Sequence, residues 1–325
     1  PPAAGDPCDV RNVNRTGASG DQVEQLCQDQ GIPANLLPNF TLTSSSTQAQ
    51  TGSNPDLEPE TAKIWTGGVV LEPVLADNLG LVQLTLDYYN IEIEEAVGLL
   101  SNTDVLERCF NADGSNPNFS VDNAFCQRID RNPSTGGISL IRSGRFNFQT
   151  IETDGIDFSF RYSLPLSFGR DSSLQFSSLY TYLNSFEIAG LFGSESLDFA
   201  GSSGFGTNSG AQFGGNISHP EWKGNTSLTF NYGPVSATGR WRFIGEMDNA
   251  DKVLNSESET PGVDSFNYFD FNANVTISDT ISVGFGVTNL ADKKPPRIPG
   301  TPLTTDAALF DVIGRSFNLS SQLRF

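Results

Sequence analysis

The chain has 325 residues, 37 % of them apolar, and a formal net charge of −19 from 38 Asp and Glu against 19 Lys and Arg. That balance excludes phosphate-backbone recognition, which depends on clustered cations, so no nucleic-acid partner is expected. The 24 Phe and 32 Gly, beside a single His and a single Met, favour strands and turns over helices, and so many aromatics argue against disorder.

No run of about eighteen apolar residues is present to cross a bilayer as a helix, which leaves strands as the only other route into one. The opening residues, PPAAGDPCDV, lack the basic start and apolar stretch of a leader. Either a leader has been removed or the chain begins inside something larger. Cys8 with Cys27 and Cys109 with Cys126 form two local couples in polar, turn-rich stretches, which suits loop-closing disulfides in an oxidising compartment. A zinc site is disfavoured by the missing C-x-x-C spacing and the scarcity of His.

From there the pattern has period two. The first strand, 61–73, has an ambiguous face. In 80–93, Val82, Leu84, Leu86 and Tyr88 oppose Gln83, Thr85, Asp87 and Tyr89. In 145–166, Phe146, Ile156, Phe158, Phe160, Tyr162 and Leu164 oppose Asn147, Thr153, Asp157, Ser159 and Arg161. Thr150, Glu152 and Asp154 interrupt that apolar face, and ~70 Å of strand exceeds a ~30 Å hydrocarbon layer, so the upper half is expected to stand clear of lipid. Then come 173–183 and 225–233, the latter with Leu228, Phe230 and Tyr232 against Ser227, Thr229 and Asn231. In 235–245 the apolar face is Val235, Ala237, Trp241 and Phe243, against Ser236, Thr238, Arg240 and Arg242. In 266–277 it is Phe269, Phe271, Ala273, Val275 and Ile277, against Tyr268, Asp270, Asn272 and Asn274. The segment 281–290 alternates likewise, and 316–325 sets Phe317, Leu319, Leu323 and Phe325 against Asn318, Ser320, Gln322 and Arg324.

The connections run short, long, short, long: 74–79, 94–144, 167–172, 184–222, 233–234, 246–265, 278–280 and 291–315. Tight turns at one end and large loops at the other predict an all-β fold, a transmembrane antiparallel up-and-down β-barrel. A sandwich has no reason to keep that parity. Trp65, Tyr88, Tyr89, Tyr162, Tyr180, Tyr182, Tyr232 and Trp241 are candidates for interfacial girdles.

Several stretches resemble the TonB-dependent outer-membrane receptors: NPDLEPETAKIWTGGVVLEP (54–73), TDGIDFSFRYSLP (153–165), HPEWKGNTSLTFNY (219–232), GVTNLADKKPP (286–296) and the terminal Phe325. Each is weak alone, but their order and spacing from 54 to 325 are specific. The resemblance implies a barrel of about 22 strands closed by an N-terminal plug. The nine strands read here would be its last nine, with about thirteen before Pro1. Residues 1–53 would then be an extracellular loop, and 54–325 the C-terminal part of the barrel with long extracellular loops. It further implies, as partners, the N-terminal barrel portion and plug, the TonB complex acting through the plug, outer-membrane lipid, the barrel-assembly machinery recognising Phe325, and a surface lipoprotein. The location implied is the bacterial outer membrane.

The function expected is active import of a scarce nutrient, with no catalysis and no cofactor. The rival is a plug-free diffusion porin or a structural or adhesive barrel. Lumen-facing polar candidates are Asp87, Asp157, Arg161, Arg240, Arg242 and Asp270, with Arg324 beside them. They would guide substrate or hold the plug, or simply solvate a wet interior, as such lumens generally do. The Gly- and Ser-rich stretch 190–215 reads as a gate, a ligand-contacting loop or a solvated loop, and no G-K-[ST] follows it. His219 stands alone, which rules out a His-based triad or zinc site within the chain. The acids Glu94, Glu95, Asp104 and Asp113 are read as loop charges in solvent. Siderophore, glycan and peptide substrates all fit, with a slight lean towards a glycan or peptide.

Overall fold

The computed structural model describes residues 5–42, 49–52, 54–112, 114–167, 169–189, 196–204, 217–299 and 304–324. Nine antiparallel strands follow one another as a meander. They are β1 (Thr61–Leu71), β2 (Leu81–Leu100), β3 (Ile138–Leu166), β4 (Ser172–Ala189), β5 (Trp222–Tyr232), β6 (Val235–Ile244), β7 (Phe266–Ser278), β8 (Ile281–Thr288) and β9 (Ser316–Leu323). Every strand pairs with its neighbour in sequence, so the sheet is a piece of up-and-down barrel wall.

The register sets one apolar side chain opposite the next. Val69 faces Leu86, Leu84 faces Phe160, Leu228 faces Phe176, Ala273 faces Phe285, and Phe285 faces Leu319. These residues stay open: Phe230, Trp241, Phe271 and Leu319 are 36, 36, 37 and 79 % exposed. In water a continuous apolar band of this kind would be costly, whereas facing acyl chains it costs nothing. Tyr182 and Trp222 pack ring to ring at 4.7 Å along its upper margin. Tyr89 departs from the girdle reading. It pairs with Gly155 on the polar face, where that glycine leaves room for its ring.

Three strands run further than alternation alone indicates. β2 continues to Leu100, β3 begins at Ile138 and β4 continues to Ala189, because the main-chain ladder persists past the bulge between Ile93 and Ala96, while the polar and apolar sides exchange and Ile93, Ile151 and Ile188 pair across the sheet. Glu92 pairs with Glu152 and Glu152 with Glu187. Glu94 and Glu95 therefore lie within β2 and not in a loop. Lys63 binds Glu94 at 2.7 Å, and Glu95 takes a φ of 54° where the ladder slips at a bulge.

The main apolar core lies beyond the strand ends. Residues 5–42 contain α1 (Gly20–Asp29), and the β2–β3 connection contains α2 (Asn102–Cys109). α2 starts at a Ser101 and Asp104 capping box, so Asp104 is a helix cap; Asp113 lies outside the described residues. The pieces share one core of Val23, Leu26, Ile32, Leu100, Val105, Phe110 and Ile141. Both disulfides, Cys8–Cys27 and Cys109–Cys126, lie inside it. Arg131 forks onto Asp6 at 2.7 and 2.8 Å, both side chains fully enclosed, and its Nε donates to Gln30 at 2.9 Å. Residues 5–42 are thus not a plain loop but half of a stapled cap.

Candidate functional site on the polar face

Side chains at alternate positions to the apolar band form the other face of the wall, ordered in rungs across the strands. One rung runs Asp87, Asp157, Thr181, Lys223, with Thr181 Oγ1 donating to Asp157 at 2.6 Å. Four residues further along the strands, another runs Gln83, Arg161, Ser177, Ser227, Arg240, Asp270. A hydroxyl pair knits this face between charges, Thr229 and Thr238, 2.8 Å apart, while on the apolar face Ser178 and Thr226 pair at 3.0 Å.

The six polar candidates separate into distinct surroundings. Asp87 and Asp157 face each other directly. Arg242 and Asp270 are tied up in a clamp: Arg242 holds Asp270 at 2.9 Å through Nε and Asp311 at 2.6 Å through a terminal nitrogen, with its guanidinium 4.6 Å from the Tyr268 ring centre. The Asp311 N–H donates to Tyr268 Oη at 3.0 Å, and the Asn289 N–H donates to Asp270 at 2.8 Å. The clamp pins the β8–β9 connection against β6 and β7. Beneath it Ile244, Met247, Val263, Phe266, Tyr268, Ile298 and Phe310 form a second core. Tyr268, expected on a wet face, is for that reason only 1 % exposed. Arg240 sits opposite Asp270 in register. Arg324 lies at the far end of the wall, where its N–H donates to Thr280 O at 2.9 Å.

Arg161 has different company. It lines a cleft of about 700 Å³ beside the short β1–β2 turn, with Glu72, Val74, Leu75, Gln83, Gln175 and Ser177 around it. Gln83 donates to Glu72 at 2.6 Å and fixes the turn's carboxylate. A smaller cleft of about 270 Å³ lies under the β8–β9 connection, between Leu179, Thr181, Lys223, Asn225 and Leu309.

Above the wall, Ser202–Gly204 pairs with Ile217–His219 and with Asp248–Asn249. His219 stacks on Phe186 at 4.0 Å, and burial pushes its imidazole below the usual range, which favours the neutral ring. Of the Gly- and Ser-rich stretch 190–215, only 196–204 lie among the described residues, and Phe325 lies outside them. No group of three metal-ligating side chains occurs among the described residues.

Asp311, Asp6, Gln30 and Arg131 escaped the sequence reading. Each acts across a long separation, 125 residues for Asp6 and Arg131, and sits in or beside a polar stretch without periodicity.

The family model described as "TonB dependent receptor-like, beta-barrel" matches residues 29–290. Among solved structures, the ferric enterobactin receptor of Pseudomonas aeruginosa, in complex with enterobactin, is 16 % identical with a TM-score of 0.54, over 85 % of this chain and 33 % of that one. The outer membrane transporter YddB of Escherichia coli is 13 % identical with a TM-score of 0.51, over 87 % of this chain and 35 % of that one. The chain thus spans about a third of the length of these structures. No curated protein sequence matches it.

Proposed function

Because the chain belongs to the TonB-dependent receptor-like β-barrel family, we propose that it forms part of the wall and outer loops of an outer-membrane receptor that imports a scarce solute with energy relayed from the inner membrane. The observation carrying this reading is the two-faced nine-strand wall, with its apolar band on one side and rungs of Asp, Arg, Ser, Thr and Asn on the other. Lipid would take the first face and the solute's path the second.

On this reading residues 5–42, which share one core with α2 of the β2–β3 connection, lie with it on the extracellular side, at the end of the wall with long connections. The clamp at Arg242 fixes one outer loop inward. The rungs offer a hydrated track. A plug and the TonB complex are the partners the mechanism requires, because a wall alone neither closes a channel nor receives work. Its chemistry is binding and passage, not bond making.

The test is solute uptake by cells carrying or lacking the gene, in backgrounds with and without the inner-membrane coupling protein. The result expected is accumulation that needs both. A large, steady conductance of the purified full-length protein in planar bilayers, with uptake independent of the coupling protein, would instead indicate passive diffusion.

A further inference from the structure

We infer that the stapled cap is a redox-conditional latch, held shut by two disulfides that a small thiol reduces only together. The inference goes beyond the uptake reading and rests on it only for the side of the membrane on which the cap meets solvent. Neither bond crosses between the two halves of the cap: Cys8–Cys27 staples 5–42 to itself, and Cys109–Cys126 does the same for the β2–β3 connection. Side chains join the halves. Val23, Leu26, Ile32 and Phe40 from one pack into a single core with Val105, Leu106, Phe110 and Phe125 from the other. Segments of under about 40 residues seldom hold a core without a staple, so each half needs its disulfide to present its share.

All four cysteines are enclosed: Cys8, Cys27 and Cys109 are 0 % exposed and Cys126 is 2 % exposed. Exchange requires a thiolate to reach a disulfide sulfur, so neither bond is attacked until the core opens. Because the core is common to both, the opening that uncovers one uncovers the other. A polar relay ties the two bonds more closely still. Arg131 Nη2 donates to Cys8 Sγ at 3.2 Å, Arg131 Nε to Gln30 Oε1 at 2.9 Å, and Gln30 Nε2 to Cys109 Sγ at 3.1 Å. Displacing either disulfide breaks that chain. In the open cap a first thiolate bonds to one sulfur of a couple and expels the other cysteine as a thiolate. A second thiolate then attacks the attached reagent sulfur, frees the first cysteine and leaves as the oxidised form of the thiol. Each couple thereby gains two electrons, and the two protons of the reagent end on its cysteines.

The test equilibrates the purified full-length protein in detergent with graded ratios of reduced to oxidised dithiothreitol, traps free thiols by acid and alkylation, and reads each couple by mass spectrometry of its peptides. Both couples are expected to be reduced over one range, with midpoints within about threefold in that ratio, and cleavage of 5–42 by an added protease should begin there. Cys109→Ser with Cys126→Ser should move the Cys8–Cys27 midpoint at least about tenfold towards easier reduction. Arg131→Met should move both couples the same way, whereas Lys63→Gln, on the wall outside this core, should move neither. Wild-type midpoints further than about threefold apart would overturn the latch. So would a Cys8–Cys27 midpoint unmoved by loss of the other couple, or full reduction that leaves 5–42 resistant to the protease. These readings involve no transport. Uptake that ignores the coupling protein would therefore sink the uptake reading and leave the latch standing.

Discussion

Arg131 reaches Asp6 across 125 residues of sequence, and both side chains end fully enclosed, joined by two charge-assisted bonds and backed by Gln30, whose own amide donates to Cys109 Sγ at 3.1 Å. Removing one partner leaves the other charged and buried, so Arg131→Met should destabilise the cap by about 3–5 kcal/mol. Replacing both, as Asp6→Asn with Arg131→Met, should recover much of that loss. Amide exchange within 5–42 and 101–137 measures it, and exchange unaltered by the single substitution would show that the pair does not hold the cap. Asp9 gives the same region a pH dependence. The Arg11 guanidinium, bonded to its carboxylate at 2.6 Å, together with the Arg11 and Leu42 N–H groups, outweighs burial and holds its pKa at about 2 instead of the ordinary 3.8. A depressed carboxyl stabilises the folded form above its unfolded pKa and ceases to as pH falls through its folded one. Proteolysis of 5–42 should therefore rise as pH drops from about 4 to about 2 with an acid-tolerant protease, and Asp9→Asn should flatten that dependence. A rise already complete above pH 4 would assign the effect elsewhere.

At the scale of the strand, face decides what a substitution costs. Phe271 belongs to the apolar band, 37 % exposed and paired with Val287, while its neighbour Asn272 points to the polar side, paired with Thr238 and Gly286. Phe271→Arg should cost about 2–4 kcal/mol in a bilayer, whereas Asn272→Arg falls among hydrated groups and should cost little. Urea unfolding in lipid vesicles compares them, and equal losses for the two would mean that the faces have been confused. This alternation was the most legible feature of the sequence. It located all nine strands and most of their lower ends, because Leu228, Phe230 and Tyr232 cannot face lipid without Ser227, Thr229 and Asn231 facing away. It failed at the upper ends of β2, β3 and β4. There the sides exchange: Glu92, Glu152 and Glu187 follow one another on the side that carries the apolar band lower down, Ile93, Ile151 and the buried Ile188 follow one another on the other, and a bulge at Glu95 breaks the phase of β2. Period two signals a difference between faces, and it is hard to follow where the apolar side changes over and a bulge shifts the register.

For the whole molecule, the parity of short and long connections revealed an up-and-down wall before any pairing was known, since tight turns leave successive strands no choice but to pair. The cysteine couples signalled two stapled loops. What the sequence did not reveal is that the loops share one core and that Arg131 joins them, because contacts between irregular segments leave no period to read. Likewise Arg242 and Asp270 were legible as polar-face residues, yet their engagement by Asp311 depends on how the β8–β9 connection folds back. The account stands on one physical assignment, that the exposed apolar band contacts lipid and the opposite face contacts water. The most direct measurement places spin labels singly at Phe230, Phe271 and Leu319 and at Asn231, Asn272 and Asn318 of the full-length protein in vesicles, keeping both disulfides, and compares collision with oxygen against collision with a water-soluble nickel chelate. Oxygen should dominate at the first three and the chelate at the second three. Similar accessibility at all six, or the reverse order, would contradict the assignment of this sheet to a membrane wall.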